Sequence, residues 1–353
     1  MKLEDLGYGD FFAGDGGREG FLPARIVAQH KDLYRAVGAG GEYRAKITGK
    51  QMFGARSERD YPAVGDWVEI SDLGEGQAVI HRVLPRKTII KRRRGKDEVQ
   101  IIAANIDAAF IVESVDGDYN LNRLERYFAL ARDGGIEPII ILNKTDLIPR
   151  EELEEKTSQI KNRLGAVELV GVSALAGGGL DELKAKIVKG KTYCFLGSSG
   201  VGKSTIINKL LGKKVMKTGE IDARTDRGRH TTTVRQIHFL ENGGIVIDNP
   251  GMREVGMADC GEGIDDLFGE IAARARECKY TDCTHTNEPG CAVRAAIESG
   301  RLDEEKYQNY SDLKKEADFY EMSEIEKKRK DRDFGKFIKQ TKIQLKRGRH
   351  KNF

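Results

Sequence analysis

Gly197-Ser198-Ser199-Gly200-Val201-Gly202-Lys203-Ser204 decides the reading of this chain. The stretch fits the phosphate-loop pattern GxxxxGK[ST]. It follows an apolar run, Tyr193–Leu196, and opens a stretch of helical period, Ser204–Leu211. Strand, glycine-rich loop and helix form the context in which this pattern wraps phosphate. Glycines let successive backbone N–H groups turn inward with no Cβ in the way, and the helix N-terminus adds partial positive charge. On this reading residues 197–205, Thr205 included, contact a nucleotide. Lys203 reaches its β- and γ-phosphates as a catalytic group, and the Ser204 hydroxyl holds Mg²⁺. A flexible Gly-Ser turn is the bland alternative, and the flanking strand and helix count against it.

Downstream, Asp248-Asn-Pro-Gly251 ends a short apolar run, Ile245–Ile247, about 45 residues after the loop. An Asp at a strand end in such proteins holds the Mg²⁺ shell, and the Gly251 N–H can reach the γ-phosphate. Between the two lies Gly228-Arg-His-Thr-Thr-Thr233. Thr232, with Thr231 next, is a candidate third Mg²⁺ ligand, which makes residues 213–233 a candidate switch. Three threonines that merely open a strand are the alternative. Met252 stands where Ras-like proteins carry the glutamine that orients water, so slow intrinsic hydrolysis is expected. His230 is a candidate replacement for that group; an exposed loop histidine is the other reading.

Upstream, Asn143-Lys144-Thr145-Asp146 follows the apolar run Ile139–Leu142. This is the guanine-reading sequence of Ras-like GTPases. A carboxylate at 146 accepts the guanine N1–H and N2–H together, an arrangement adenine does not offer. Lys144 would lay its stem along base and ribose, and Ser173-Ala174, after the next strand, matches the weaker base-contacting segment. The base motif precedes the phosphate loop, the reverse of the ordinary order. A circular permutation preserves such a site because its residues meet at the carboxyl ends of parallel strands.

Around these motifs apolar strands alternate with helical stretches. Ile106–Glu113, Pro138–Leu142, Val167–Val172 and Thr192–Leu196 read as strands; Leu121–Arg132, Arg150–Leu164 and Leu180–Val188 read as helices. The alternation predicts an α/β unit with a parallel sheet covered on both faces. Residues 20–90 instead hold about five short runs broken by turns, among them Ala24–Ala28, Tyr43–Ile47, Asp66–Ile70 and Gln77–His81. That spacing predicts a small antiparallel β-barrel or sandwich, and a barrel there suits RNA. Residues 258–325 read as mostly helical. The expected units are a barrel over 1–95, the permuted GTP-binding unit over 96–257, a helical unit over 258–325 and a tail over 326–353.

Three of the five cysteines, Cys278, Cys283 and Cys291, fall close together with His285 among them. Three thiolates and an imidazole form a closed set for one structural zinc; catalytic zinc is the weaker alternative. Cys194 and Cys260 read as buried apolar residues.

The net charge of +4 conceals an asymmetry, because residues 326–353 carry 12 Lys/Arg against 3 Asp/Glu. Residues 86–96 hold seven cations and no acid. Two such clusters are the footprint of a polyanion, nucleic acid above others; a solvated charged tail is the alternative for the C-terminus. No run of about 18 apolar residues occurs, so no membrane span is expected. The start of the chain, MKLEDLGYGDFF, does not read as a secretory signal. A cytoplasmic monomer is expected.

Taken together, Asn143–Asp146, Gly197–Ser204, Gly228–Thr233, Asp248–Gly251 and the Cys/His cluster resemble the ribosome small-subunit-dependent GTPase family (RsgA, also called YjeQ). Pro289-Gly-Cys-Ala-Val293, Glu298-Ser-Gly300, Tyr307 and Tyr310 extend the resemblance, which covers about residues 20–320. Asn249, where the family usually has Thr, is a departure, and the long basic tail is less typical. The resemblance implies an oligonucleotide-binding barrel, a circularly permuted GTPase domain and a zinc-binding helical domain. It also implies docking on the small ribosomal subunit and its rRNA late in maturation, with GTP hydrolysis stimulated by the subunit. A nucleotide-gated rRNA-binding module with incidental turnover is the alternative, and action on another RNA such as tRNA a third reading.

Overall fold

Five short strands near the N-terminus close on themselves. In a computed structural model, which describes residues 1–14, 18–30, 33–49, 57–94, 98–213, 235–248 and 260–321 together with Arg332, a short helix α1 (Asp10–Ala13) leads into them. They are β1 (Leu22–His30), β2 (Leu33–Gly38), β3 (Gly41–Ile47), β4 (Trp67–Gly74) and β5 (Gln77–Val83). The pairings run β1–β2–β3–β5–β4 and return from β4 to β1, so the sheet has no free edge. Only β3–β5 is parallel. Alternate residues (Ile26, Ala36, Ala45, Val68, Ile70, Ile80) fill the interior, as a two-residue period requires.

A hairpin follows, β6 (Ile89–Arg94) against β7 (Glu98–Ala104). Its first strand lies inside the cationic run 86–96, where Lys and Arg mask the apolar alternation. Not all of that charge faces a ligand. Arg86 forks onto the buried Asp66 at 2.8 and 2.7 Å, and Lys91 pairs with Asp133 at 2.9 Å.

The central sheet is built from β8 (Ala108–Ser114), β9 (Glu137–Asn143), β10 (Glu168–Val172), β11 (Thr192–Leu196), β12 (Gln236–Phe239) and β13 (Ile245–Asp248), in the order β10-β9-β8-β11-β13-β12. The first five are mutually parallel and β12 runs antiparallel. Helices α2 (Leu121–Asp133) and α3 (Arg150–Leu164) cover one face; α4 (Leu180–Ala185) and α5 (Lys203–Leu210) cover the other. Strand β8 divides its side chains accordingly, Ala109 and Ile111 to the first face, Phe110 and Val112 to the second. Helix α4 stops short of Val188 because the Tyr193 hydroxyl accepts the Val188 N–H at 3.0 Å and donates to the Lys186 carbonyl at 2.9 Å. A bridge between Ala28 and Gln236 joins β12 to the barrel.

Four helices complete the described chain: α6 (Gly261–Leu267), α7 (Gly269–Ala275), α8 (Ala292–Glu298) and α9 (Glu304–Glu321). Their core (Ile264, Phe268, Ile271, Val293, Leu313) takes in Ala129 of α2. Among the described residues, no helix is long and apolar enough to cross a membrane.

Candidate nucleotide site and metal cluster

Strand order changes direction between β8 and β11, since β8, β9 and β10 run outward one way and β11, β13 the other. Clefts open at such a reversal, beyond the carboxyl ends of the strands. The loops that leave β8, β9, β10 and β11 all rise there, and they hold both motif sets.

In the phosphate loop, backbone geometry requires the glycines. Gly197, Gly200 and Gly202 have φ of 136°, 84° and 99°, a region side-chain-bearing residues avoid. A Cβ on Gly197 would sit 2.3 Å from the Val112 carbonyl oxygen, and one on Gly202 2.1 Å from Asn143 Nδ2. Val201 is buried and anchors the loop; Ser198 is half-buried, while Ser199 and Gly200 are exposed at its crest. Ser204 and Thr205 stand half-buried in the first turn of α5. The Lys203 ammonium donates to the carbonyls of Gly197, at 2.8 Å, and Ser198.

Asp248 closes β13 and is buried. Burial pushes its carboxyl up to about 6, against the opposing pull of the Lys203 charge. The Lys203 charge is thus near enough to act on the Asp248 carboxylate.

The base loop reaches the same place. Asn143, at the tip of β9, is buried; its amide donates to the Val201 carbonyl at 2.7 Å and its Oδ1 accepts the Ala174 N–H at 3.2 Å. One side chain thus bonds the phosphate loop and the segment after β10. Thr145 starts a 3-10 turn, Thr145–Leu147. Asp146 is exposed, and its carboxylate accepts the buried Ser173 hydroxyl. Lys144, at φ 64°, reaches back to Asp116 on the β8 loop at 2.6 Å. The sequence reading missed Asp116; its only signal was a polar run, Ser114-Val-Asp-Gly-Asp118, at a strand's carboxyl end. His230, Thr231, Thr232, Asn249, Gly251, Met252, residues 214–233 of the candidate switch and the basic tail lie outside the described residues, apart from Arg332.

Between α7 and α8, one ligand atom each from Cys278, Cys283, His285 and Cys291 lies within 4.8 Å of the others. Cys278 Sγ is 3.9 Å from Cys291 Sγ, and His285 Nδ1 is 3.6 and 3.4 Å from those two sulfurs. His285 takes φ 59°, which turns its ring inward. Cys291 also caps α8, accepting the Arg294 N–H at 3.4 Å. The cluster can hold a metal ion. Four-residue spacing between the first two cysteines did not hide it, because the cysteines are few and grouped.

A barrel, a permuted parallel sheet and a helical unit with a Cys/His cluster define a circularly permuted, GTP-hydrolysing enzyme. The RsgA GTPase family model matches residues 83–258, and an ABC transporter model matches residues 180–345, a span that contains the phosphate loop. The small ribosomal subunit biogenesis GTPase RsgA 2 of Lactiplantibacillus plantarum is 42% identical over 321 residues, 90% of each chain. RsgA of Opitutus terrae is 41% identical, again over 90% of each. Among solved structures, YjeQ from Thermotoga maritima superposes with a TM-score of 0.63 at 28% identity, covering 83% of this chain and 97% of its own. YloQ, a circularly permuted GTPase, shares the fold, with a TM-score of 0.57 at 22% identity. This chain belongs to the RsgA GTPase family.

Proposed function

We propose that this protein docks on the small ribosomal subunit late in its maturation and hydrolyses GTP in response. The Asn143 side chain carries the reading, because it bonds the base loop to the phosphate loop although the two motifs stand in inverted chain order. Residues 197–205 cradle the phosphates, with Lys203 on the β- and γ-phosphoryl oxygens. Asp146 reads the guanine edge, Lys144 flanks the base, and Ser173 with Ala174 supports that end. Ser204 and Asp248 hold Mg²⁺, joined by Thr232; the Gly251 N–H meets the γ-phosphate and His230 orients water. The barrel (1–95) and the remaining cations of 86–96 contact rRNA, the GTPase unit spans 96–257, and the tail beyond 326 adds positive charge. The protein acts as a cytoplasmic monomer.

The Cys/His cluster of the 258–325 unit holds structural zinc. A tetrahedral site with metal–sulfur distances of about 2.3 Å has sulfur–sulfur edges of about 3.8 Å, close to the 3.9 Å between Cys278 and Cys291. The ion would fix the α7–α8 loop and supply no chemistry to hydrolysis.

Phosphate release, measured with and without small subunits, tests the proposal, together with co-sedimentation in GDP and in a non-hydrolysable GTP analogue. The subunit should stimulate turnover by more than tenfold, and Lys203→Ala should abolish the stimulated rate. Stimulation by tRNA alone, or none by the subunit, would refute it.

A further inference from the structure

We propose that Asp116 is a positioning residue for the base site, tethering the Lys144 ammonium so that the lysine stem stands as a fixed wall for the purine. The inference rests on the base-site reading above. Lys144 leaves β9 with its backbone in the left-handed region, at φ 64°, which a lysine seldom adopts without cause. Its Nζ lies 2.6 Å from Asp116 Oδ2. The other oxygen, Oδ1, accepts the Ser114 hydroxyl at 2.8 Å and the Asp118 N–H at 3.3 Å. Ser114 is buried and lies opposite Asn143 across the β8–β9 ladder. The Val115 N–H donates to the Asn143 carbonyl at 3.1 Å. The tether is therefore built into the ends of two adjacent strands.

Two consequences follow for recognition. A lysine carries about 2 kcal/mol of rotamer entropy, and restraining it in advance lowers the cost of ordering it against a ligand. The pairing also keeps the ammonium away from Asp146, two residues on. That carboxylate has the Ser173 hydroxyl instead and stays available to two guanine N–H donors. Partition of the two acids, one for Lys144 and one for the base, is what the geometry achieves.

Equilibrium binding of fluorescent GDP, with inorganic tripolyphosphate as a competitor lacking base and ribose, tests this. Asp116→Ala should raise the GDP dissociation constant about tenfold and leave tripolyphosphate competition unchanged. Lys144→Ala should do the same, and the double variant should lose no more than the worse single one. Asp116→Asn, which keeps the shape and the Ser114 and Asp118 bonds, should fold normally and fall between. Wild-type GDP affinity in Asp116→Ala, losses that add in the double variant, or equal weakening of tripolyphosphate would overturn the proposal. Asp146→Asn separates it from the underlying reading: an amide there should shift preference from GDP to xanthosine diphosphate, whose extra carbonyl accepts where guanine donates. If that preference does not move, the base-site assignment fails whatever Asp116 does.

Discussion

Glu113 stands fully buried near the end of β8, with Oε1 on Arg123 at 3.3 Å and Oε2 unbonded among the described residues. Burial drives its carboxyl up to about 7, against the pull of Arg123. Between the ordinary 4.5 and that value the folded protein holds a proton that the unfolded chain has released. Stability therefore falls as pH rises through this window and levels off above it. Glu113→Gln should stabilise the protein by about 1–3 kcal/mol near pH 8 and flatten the profile toward pH 5, read by urea unfolding at several pH values. At Asp248, proposed above to hold Mg²⁺, the same cause bears on nucleotide binding. A carboxyl raised to about 6 loses its charge below that pH, so Mg²⁺-dependent GDP affinity should weaken from pH 7 to pH 5. Asp248→Asn should start weak and show no such dependence. Neither shift is visible in sequence, because an Asp or Glu at a strand end reads alike whether the fold buries it or leaves it wet.

Helix α2 faces the central sheet on one side and the C-terminal helices on the other. Gly263 of α6 meets it without a side chain: a Cβ there would lie 2.1 Å from the Ala129 carbonyl oxygen. Beside that crossing, Arg163 of α3 grips the buried Glu125 at 2.8 and 2.9 Å, and Asn309 of α9 donates to Glu125 at 2.5 Å. Arg126 forks onto Glu316 at 2.7 and 2.6 Å. Glu125→Ala would take from the buried Arg163 its closest carboxylate, leaving it Asn122 at 2.7 Å and the more exposed Asp303 at 3.4 Å, at a cost of about 3 kcal/mol, measurable by thermal unfolding. Chelation of the proposed zinc should act on a narrower element. Trypsin should then cut within 274–301 far faster, while α2 and α3 stay protected. Strands β8 to β11 and helices α2 and α3 were legible in advance because long apolar runs and helical periods dominate them. The hairpin β6–β7 was not, since four cations within 91–94 break the alternation and Asp133, the partner of Lys91, is distant in sequence. The α2–α6 crossing was equally hidden, because Gly263 reads as a turn residue until its neighbour's carbonyl is located.

Across the whole molecule, the barrel and the GTP-binding unit share one hydrogen-bonded run of strands, and Arg25 sits where they meet. It is 1% exposed. Its guanidinium donates to the carbonyls of Leu6 at 2.5 Å, Gly65 at 3.3 Å and Asn105 at 3.2 Å, and to the Thr192 hydroxyl at 2.8 Å. Burial lowers its pKa to about 10, with Asp107 and Asp66 opposing, so the group stays charged at neutral pH. Thr192 begins β11, and β11 ends at the phosphate loop; one side chain from the barrel thus fixes the root of the strand that presents Lys203. Arg25→Met keeps much of the volume but takes the guanidinium from Leu6, Asn105 and Thr192, while the Gly65 carbonyl keeps the Asn105 amide at 3.1 Å, for a loss of about 3 kcal/mol or more. If this residue makes the two units cooperate, calorimetry of the variant should show the single unfolding transition split in two, the barrel melting first. GDP should then raise the later transition alone. A variant that still melts in one step at the wild-type temperature would assign the coupling to the Ala28–Gln236 bridge and the apolar contact around Trp67.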